Sequence, residues 1–187
     1  KYEDIFLKTT DDKDRLFAKI KHYVDNSENF RIQRLNPEPF EAFKTGILPE
    51  TKATLFSSLI QIAESGEFKK EHFNSVRELL EDVFLWTNSR GVLPNSCIKP
   101  DGRPNLEWSY RYLSGLPVNL PAGGVLQTAA ILPAHISRTL DMVKQNSSIL
   151  SHTYPDKFTI NAFRATLFGL AEILTWCKDY SKTNFGV

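Results

Sequence analysis

The sequence predicts an all-α fold, an irregular bundle of six or seven helices that forms a single domain over its 187 residues. Three observations support this prediction. Apolar residues recur with the helical period in block after block, glycine and proline separate these blocks, and alternating strand patterns of useful length are missing. The best strand candidate, "FRIQRL" at residues 30–35, is short and isolated. A content of 41% apolar and 12% aromatic residues is enough for a packed core.

The first third of the chain carries three helical patterns. Residues 10–25 combine an apolar stripe with acidic residues in the first turn, which favours a helix start. The segment "NPEPFEAFKTG" predicts a short helix that begins at a proline and ends at Gly46. The segment "LPETKATLFSSLIQIAESG" repeats this arrangement and ends at Gly66. Residues 1–66 are therefore a candidate N-terminal helical subdomain.

The middle of the chain contains the clearest helical pattern. Residues 69–89 have acids on one face, and Gly91 stops the pattern. The opposite face is apolar: Phe73, Val76, Leu79, Leu80, Val83 and Phe84. A loop, "GVLPNSCIKPDGRPN", follows, and Asn105 is expected to cap the next helix, "NLEWSYRYLSG", which ends at Gly115.

The last third begins with a second break, "LPVNLPAGG" at residues 116–124. A long helical pattern then runs from about Leu126 to Ser147, and Pro133 is expected to kink it or to mark its true start. Residues 157–181 form the last helix, which we expect to be the most buried element because it carries two apolar stripes. The first stripe is Ile160, Phe163, Leu167, Leu170, Ala171 and Leu174, and the second is Phe168, Ile173 and Trp176.

Charge and composition exclude several functional classes. Lys and Arg total 23 and Asp and Glu 22, which argues against a surface built mainly for nucleic acid or an anionic membrane. No apolar run approaches the ~18 residues of a membrane span, and the N-terminus lacks a signal-peptide h-region, so we expect a cytoplasmic protein. Cys97 and Cys177 lie in no metal-binding or redox motif. We expect neither a metal nor a cofactor.

Two clusters are candidates for nucleic-acid binding. His135 and Arg138 lie one helical turn apart and could hold a phosphate. Tyr110 and Arg111, with further aromatics in "EWSYRYL", are of the type that stacks on bases. The alternative interpretation is solvated polar surface for the first pair and core or flanking residues for the second, and it is the more common outcome for such residues.

The segment "VKQNSSILSHTYPD", residues 143–156, carries the strongest functional pattern. Gln145 and Asn146 stand near the end of one helical pattern, and His152 follows six intervening residues after Gln145. These three residues are the candidate catalytic residues, with His152 as an acid or base near neutral pH. The alternative is structural: Asn146 and the serines after it end the helix, and His152 hydrogen-bonds the turn.

These residues resemble the motif of HEPN domains, an α-helical family common in prokaryotic defence and toxin–antitoxin systems. The family motif is an Arg, often followed by Asn, and a His after four to six residues. Gln145 occupies the Arg position here, and "NAFRATLFGLAEILTWCKDY" resembles the last helix of such domains. The resemblance covers the last 50–60 residues and implies a HEPN-like C-terminal helix pair.

In active members of the family, the Arg and His cleave RNA, usually at a dimer interface. The resemblance therefore implies RNA and a second copy of the chain as partners. Gln145 carries no charge and cannot stabilise a developing phosphorane as a guanidinium does. The favoured hypothesis is a regulatory or interaction module without strong catalytic activity, with an unidentified protein partner. The alternatives are a metal-independent ribonuclease that uses His152 and a small-molecule-binding domain with residues 116–124 as a lid.

Overall fold

The computed structural model describes residues 10–25, 27–121, 123–152 and 159–186. Within these ranges the all-α class is confirmed, but the helices number eight rather than six or seven, and the strands form one pair. The elements are α1 (Thr10–Asp25), α2 (Glu28–Leu35), α3 (Pro37–Lys44), α4 (Ala53–Ser65), α5 (Glu71–Ser89), α6 (Leu106–Leu113), β1 (Val118–Asn119), β2 (Val125–Leu126), α7 (Ala134–His152) and α8 (Ile160–Phe185).

The chain divides into two compact units, with the boundary between Pro37 and Glu38. In the N-terminal unit, α1 and α2 pack against each other. Ser27 caps α2, since its hydroxyl accepts a hydrogen bond from the amide of Phe30 at 3.2 Å. Residues 30–35, the best strand candidate in the sequence, therefore lie in a helix, which agrees with the all-α prediction. Their alternation is too short to outweigh a capped first helical turn.

Helices α3 and α4 confirm the proline and glycine signals predicted at their ends. Helix α3 starts at a proline, and Gly66 ends α4 in the left-handed region, where its N–H donates to the carbonyl of Ile62 at 3.0 Å. A residue with a Cβ would be strained at this backbone angle. The two helices pack through the rings of Phe40, Phe43 and Phe56, whose centroids lie 5.2–5.8 Å apart.

Helix α5 forms one wall of the core of the larger unit. All six residues of its predicted apolar face are buried. It packs against both α7 and α8. The loop after α5 is tied to it, because the Asn88 side chain donates to the carbonyl of Leu93 at 2.8 Å, and Leu93 and Cys97 are buried.

Helix α7 differs from the prediction at both ends. Leu126 pairs with Val118 in the short β1–β2 hairpin, so the helix does not start there. It begins immediately after Pro133, whose ring fixes a backbone angle suited to a helix start. This confirms one of the two expectations for Pro133, that it marks the true start of the helix. Helix α7 then continues through Ser147 to His152. Residues 153–158 lie outside the described residues.

Helix α8 buries one broad stripe rather than two full sides. Phe163, Leu167 and Leu170 are completely buried, whereas Phe168 of the second stripe is 51% exposed. Helix α8 has nine buried residues among 26, and α5 has eight among 19. The last helix therefore exceeds α5 in the number of buried residues, as predicted, but not in the fraction of its residues that are buried.

A glycine brings α7 and α8 into close contact. A Cβ built on Gly169 would lie 2.8 Å from Val143 Cγ2 and 2.8 Å from Met142 Cε. Any side chain at this position would overlap α7 or push the helices apart. The close packing of α7 on α8 fixes the direction in which the remaining faces of α7 point, including the face that contacts α6.

Candidate functional site

An open cavity of about 540 Å³ lies between α6 and α7. It combines apolar residues with four charged ones and includes three of the residues that the sequence singled out, Tyr110, Arg111 and Gln145. Its full lining is Leu106, Glu107, Tyr110, Arg111, Leu116, Asp141, Lys144, Gln145 and Ser148.

The local sequence explains how this lining comes together. Asn105 caps α6 as predicted, because its side-chain oxygen accepts a hydrogen bond from the amide of Trp108 at 3.2 Å. On α7, Asp141, Gln145 and Ser148 recur at helical spacing and so share one face. The two helices pack against each other, which places this face of α7 opposite α6.

Lys144 is at the centre of the site, although only 7% of its surface is exposed. Its ammonium lies 2.9 Å from Asp141 Oδ1 and contacts the carboxylate of Glu107. It also lies 4.2 Å from the centroid of the Tyr110 ring, within the range of a cation–π interaction. Two carboxylates and one ring therefore compensate the charge that α7 brings into the protein.

The protonation of Lys144 follows from these contacts. Burial by itself lowers the pKa of this ammonium, but the hydrogen bonds and charges of Glu107 and Asp141 outweigh burial and hold the pKa above its ordinary value. Lys144 is thus a fixed cation at neutral pH. It cannot serve as a general base or as an amine nucleophile.

The remaining polar groups extend the same network. Gln145 Nε2 donates to Asp141 Oδ2 at 2.9 Å, so both oxygens of this carboxylate are engaged. Arg111 Nη1 lies 3.8 Å from Glu107 Oε1, and Arg111 Nε donates to the carbonyl of Pro117 at 2.8 Å. The loop that follows α6 therefore helps to hold the guanidinium in place.

The charges of the cavity balance. Arg111 and Lys144 supply two positive charges, and Glu107 and Asp141 supply two negative ones. A bound phosphodiester would meet both carboxylates at close range, where like charges repel. A neutral ligand would not meet this repulsion, and a zwitterion would offset it with its own cation.

Asn146 points away from this cavity. Its side-chain nitrogen donates to the hydroxyl of Thr166, which is fully buried on α8, at 2.9 Å. Asn146 and the serines after it do not end the helix, as the structural alternative had assumed, because α7 continues to His152. The side chain of His152 lies outside the described residues. Gln145 and Asn146 thus lie on different faces, one in the cavity and one against α8.

The first pair of nucleic-acid candidates lies outside the cavity lining. His135 and Arg138 are both exposed, in the first turns of α7. Tyr110 and Arg111 line the cavity, but the ring of Tyr110 already contacts Lys144. Trp108, from the same aromatic cluster, instead lines a separate, mainly apolar cavity of about 440 Å³ with Leu120.

Cysteine and metal chemistry find little support in the described residues. Cys97 and Cys177 are buried and unpaired. Burial raises the pKa of Cys97 to about 11 and also raises the pKa of Cys177, so neither is a thiolate at neutral pH. The described part of the chain has no group of three His, Cys, Asp or Glu residues placed to hold a metal ion. Within the same residues, no helix has the length and apolarity needed to cross a membrane.

Sequence reasoning missed three of the four charged residues of the site, Glu107, Asp141 and Lys144. Partial signals exist, because Asp141 stands three positions before Lys144 and four before Gln145. The contact between Glu107 and Lys144 joins residues 37 positions apart. No local pattern reports such a contact.

Comparison with known proteins gives no relative. No protein-family model matches the chain, and no curated protein or solved structure matches it significantly.

Proposed function

We propose that this protein is a HEPN-like helical interaction module that recognises a ligand without converting it, with the cavity between α6 and α7 as its recognition site. The observation that carries the proposal is the pairing of Lys144 with Glu107, Asp141 and the Tyr110 ring. This pairing gives a polar surface of balanced charge. It leaves no activated base or nucleophile among the described side chains of the cavity.

The identity of residue 145 supports recognition over cleavage. Gln145 stands where the HEPN motif has Arg, and its amide is hydrogen-bonded to Asp141. An amide offers donors and an acceptor to a ligand but no charge for a phosphorane dianion. The amide is therefore suited to binding a polar group and poorly suited to catalysing phosphodiester cleavage.

One observation favours a second candidate, a metal-independent ribonuclease that uses His152. Helix α7 is continuous from Ala134 to His152, so position 152 follows Gln145 by seven residues, close to two full turns. This spacing keeps the two positions on the same side of the helix. An active-site pair of the HEPN type needs such a placement.

The experiment that separates the two candidates is RNA cleavage in the presence of a metal chelator. We expect the wild-type protein to show no cleavage above that of His152→Ala. Wild-type cleavage that His152→Ala abolishes would contradict the proposal and establish the ribonuclease.

Restoring the family's arginine tests the HEPN-like part of the proposal. Because Asp141 would pair with an arginine at 145, the informative variant is Gln145→Arg combined with Asp141→Asn. We expect this double variant to gain measurable metal-independent cleavage and to lose it when His152→Ala is added. A folded double variant that remains inactive would argue against HEPN-like geometry.

A further inference from the structure

The wall of the α6–α7 cavity presents opposite charges side by side. Arg111 Nη1 and Glu107 Oε1 are 3.8 Å apart, and Asp141 adds a second carboxylate from the facing helix. Leu106 and Leu116 lie in the same lining and supply an apolar surface next to the charges. A ligand that matches this wall needs a cationic, an anionic and an apolar group close together.

The charged groups retain capacity for a ligand. A carboxylate has about four lone-pair positions, and Glu107 uses part of this capacity on Lys144 and Arg111. Asp141 likewise uses one oxygen on Lys144 and the other on Gln145, which leaves further lone pairs. A guanidinium has five N–H donors, of which Arg111 gives one, that on Nε, to the Pro117 carbonyl.

Lys144 has a different role from these groups. Its ammonium is nearly buried and already engaged by two carboxylates and a ring, so it is poorly placed to bind a ligand directly. It instead holds Glu107 and Asp141 in position before any ligand arrives. Such preorganisation lowers the entropic cost of binding.

We propose that this cavity binds a free α-amino acid with an apolar side chain. The ligand's ammonium would contact Glu107 and Asp141, its carboxylate would contact Arg111, and its side chain would lie on Leu106 and Leu116. An α-amino acid carries its two charges on one carbon, which matches the adjacent charges of the wall. A cavity of about 540 Å³ is within the usual range for small-molecule sites. This inference rests on the proposed function, since it names the ligand of the same site.

Three related probes test the ligand chemistry in isothermal titration calorimetry with the whole chain. L-leucine carries all three features, N-acetyl-L-leucine lacks the ammonium, and isopentylamine lacks the carboxylate. We expect L-leucine to bind and each analogue to bind at least about tenfold more weakly, the ratio expected for loss of one charged hydrogen-bond pair. Absence of L-leucine binding, or equal binding of N-acetyl-L-leucine, would overturn the inference.

Variants locate the binding in this cavity. Arg111→Gln should weaken L-leucine binding by at least about tenfold. Arg103→Gln is the matched control, because Arg103 is an exposed arginine outside the cavity lining, and it should leave binding unchanged. Circular dichroism establishes that both variants are folded. Equal binding by the two variants would place the amino acid elsewhere and overturn the inference.

The apolar contact has its own test. Leu116 is 38% exposed, so Leu116→Ala should fold normally. This variant should weaken L-leucine binding several-fold and leave glycine binding unchanged. Wild-type protein that binds glycine as tightly as L-leucine would contradict the apolar part of the site. Failure of these titrations with no RNA cleavage overturns the ligand alone, whereas His152-dependent RNA cleavage overturns the proposed function.

Discussion

The two sides of α7 are buried in opposite ways. Towards α5 and α8, the helix buries apolar residues such as Val143, which lies against Gly169 of α8. Towards α6, the next residue, Lys144, is buried as a charge and compensated by Glu107 and Asp141. Apolar packing stabilises without regard to partner identity, whereas a buried charge is tolerated only with specific partners. The first side therefore serves the fold, and the second side is a candidate for function.

The largest expected effect is on the apolar side. Leu170 of α8 is fully buried, so Leu170→Ala should lower the free energy of unfolding by about 2–5 kcal/mol, the range for a buried leucine. Phe168→Ala is the control on the same helix, because Phe168 is 51% exposed, and it should cost less than about 1 kcal/mol. Chemical denaturation measures both values. Equal losses would contradict the difference in burial between Leu170 and Phe168.

The next largest effect is on the charged side, where removal of the two carboxylates should cost more stability than removal of Lys144. Glu107→Gln combined with Asp141→Asn leaves the Lys144 ammonium buried without an anionic partner, and it should cost about 2–4 kcal/mol. Lys144→Met should cost less, because the side chains of Glu107 and Asp141 are 53% and 32% exposed and can be hydrated.

A triple variant tests this asymmetry directly. Adding Lys144→Met to the double variant removes the unpaired charge and should recover most of the lost stability. Chemical denaturation of the wild type, the double variant, Lys144→Met and the triple variant gives the four free energies of unfolding that this comparison needs. A triple variant no more stable than the double variant would mean that Lys144 does not depend on its carboxylates.

The smallest expected effect concerns Asp82, a partly buried charge that is less well paired than Lys144. The side chain of Asp82 on α5 is 21% exposed, and Lys52 Nζ lies 3.7 Å from its Oδ2. Burial raises the pKa of Asp82 above its ordinary value, and the attraction of Lys52 is too weak to reverse this. The folded state then binds the proton more tightly than the unfolded state.

The stability contribution of Asp82 must therefore fall as the pH rises through its raised folded pKa. We expect Asp82→Asn to gain stability relative to wild type as the pH rises from about 3 to about 7. The measurement is the difference in free energy of unfolding between the two proteins across this interval. A difference that is flat, or that slopes the other way, would contradict the raised pKa.

Much of the fold could be predicted from periodicity and punctuation. The apolar face of α5, the glycine after α4 and the Asn105 cap of α6 are local features, and all are confirmed. One error has a local cause as well. The helical pattern counted from Leu126 is interrupted by Pro133, and the helix starts only after that proline.

The candidate site could also be predicted only in part from the sequence. Tyr110, Arg111 and Gln145 stood out because of their residue types, and the structure places all three in one cavity. Gln145 and Asn146 are adjacent in sequence, yet one faces the cavity and the other hydrogen-bonds Thr166 on α8. Helical geometry separates neighbouring residues by about 100°, so only the packing of α7 decided which of them the cavity contains.

The sequence by itself determined the all-α class, the helical core faces and most helix ends, because these depend on residues within a few positions of one another. The tertiary structure alone decided that Lys144 meets Glu107, 37 positions away, and that a cavity of balanced charge forms there. Pairing across two helices depends on their crossing and rotation, which the close contact at Gly169 helps to set. Interactions of this kind produce no periodic pattern in the sequence.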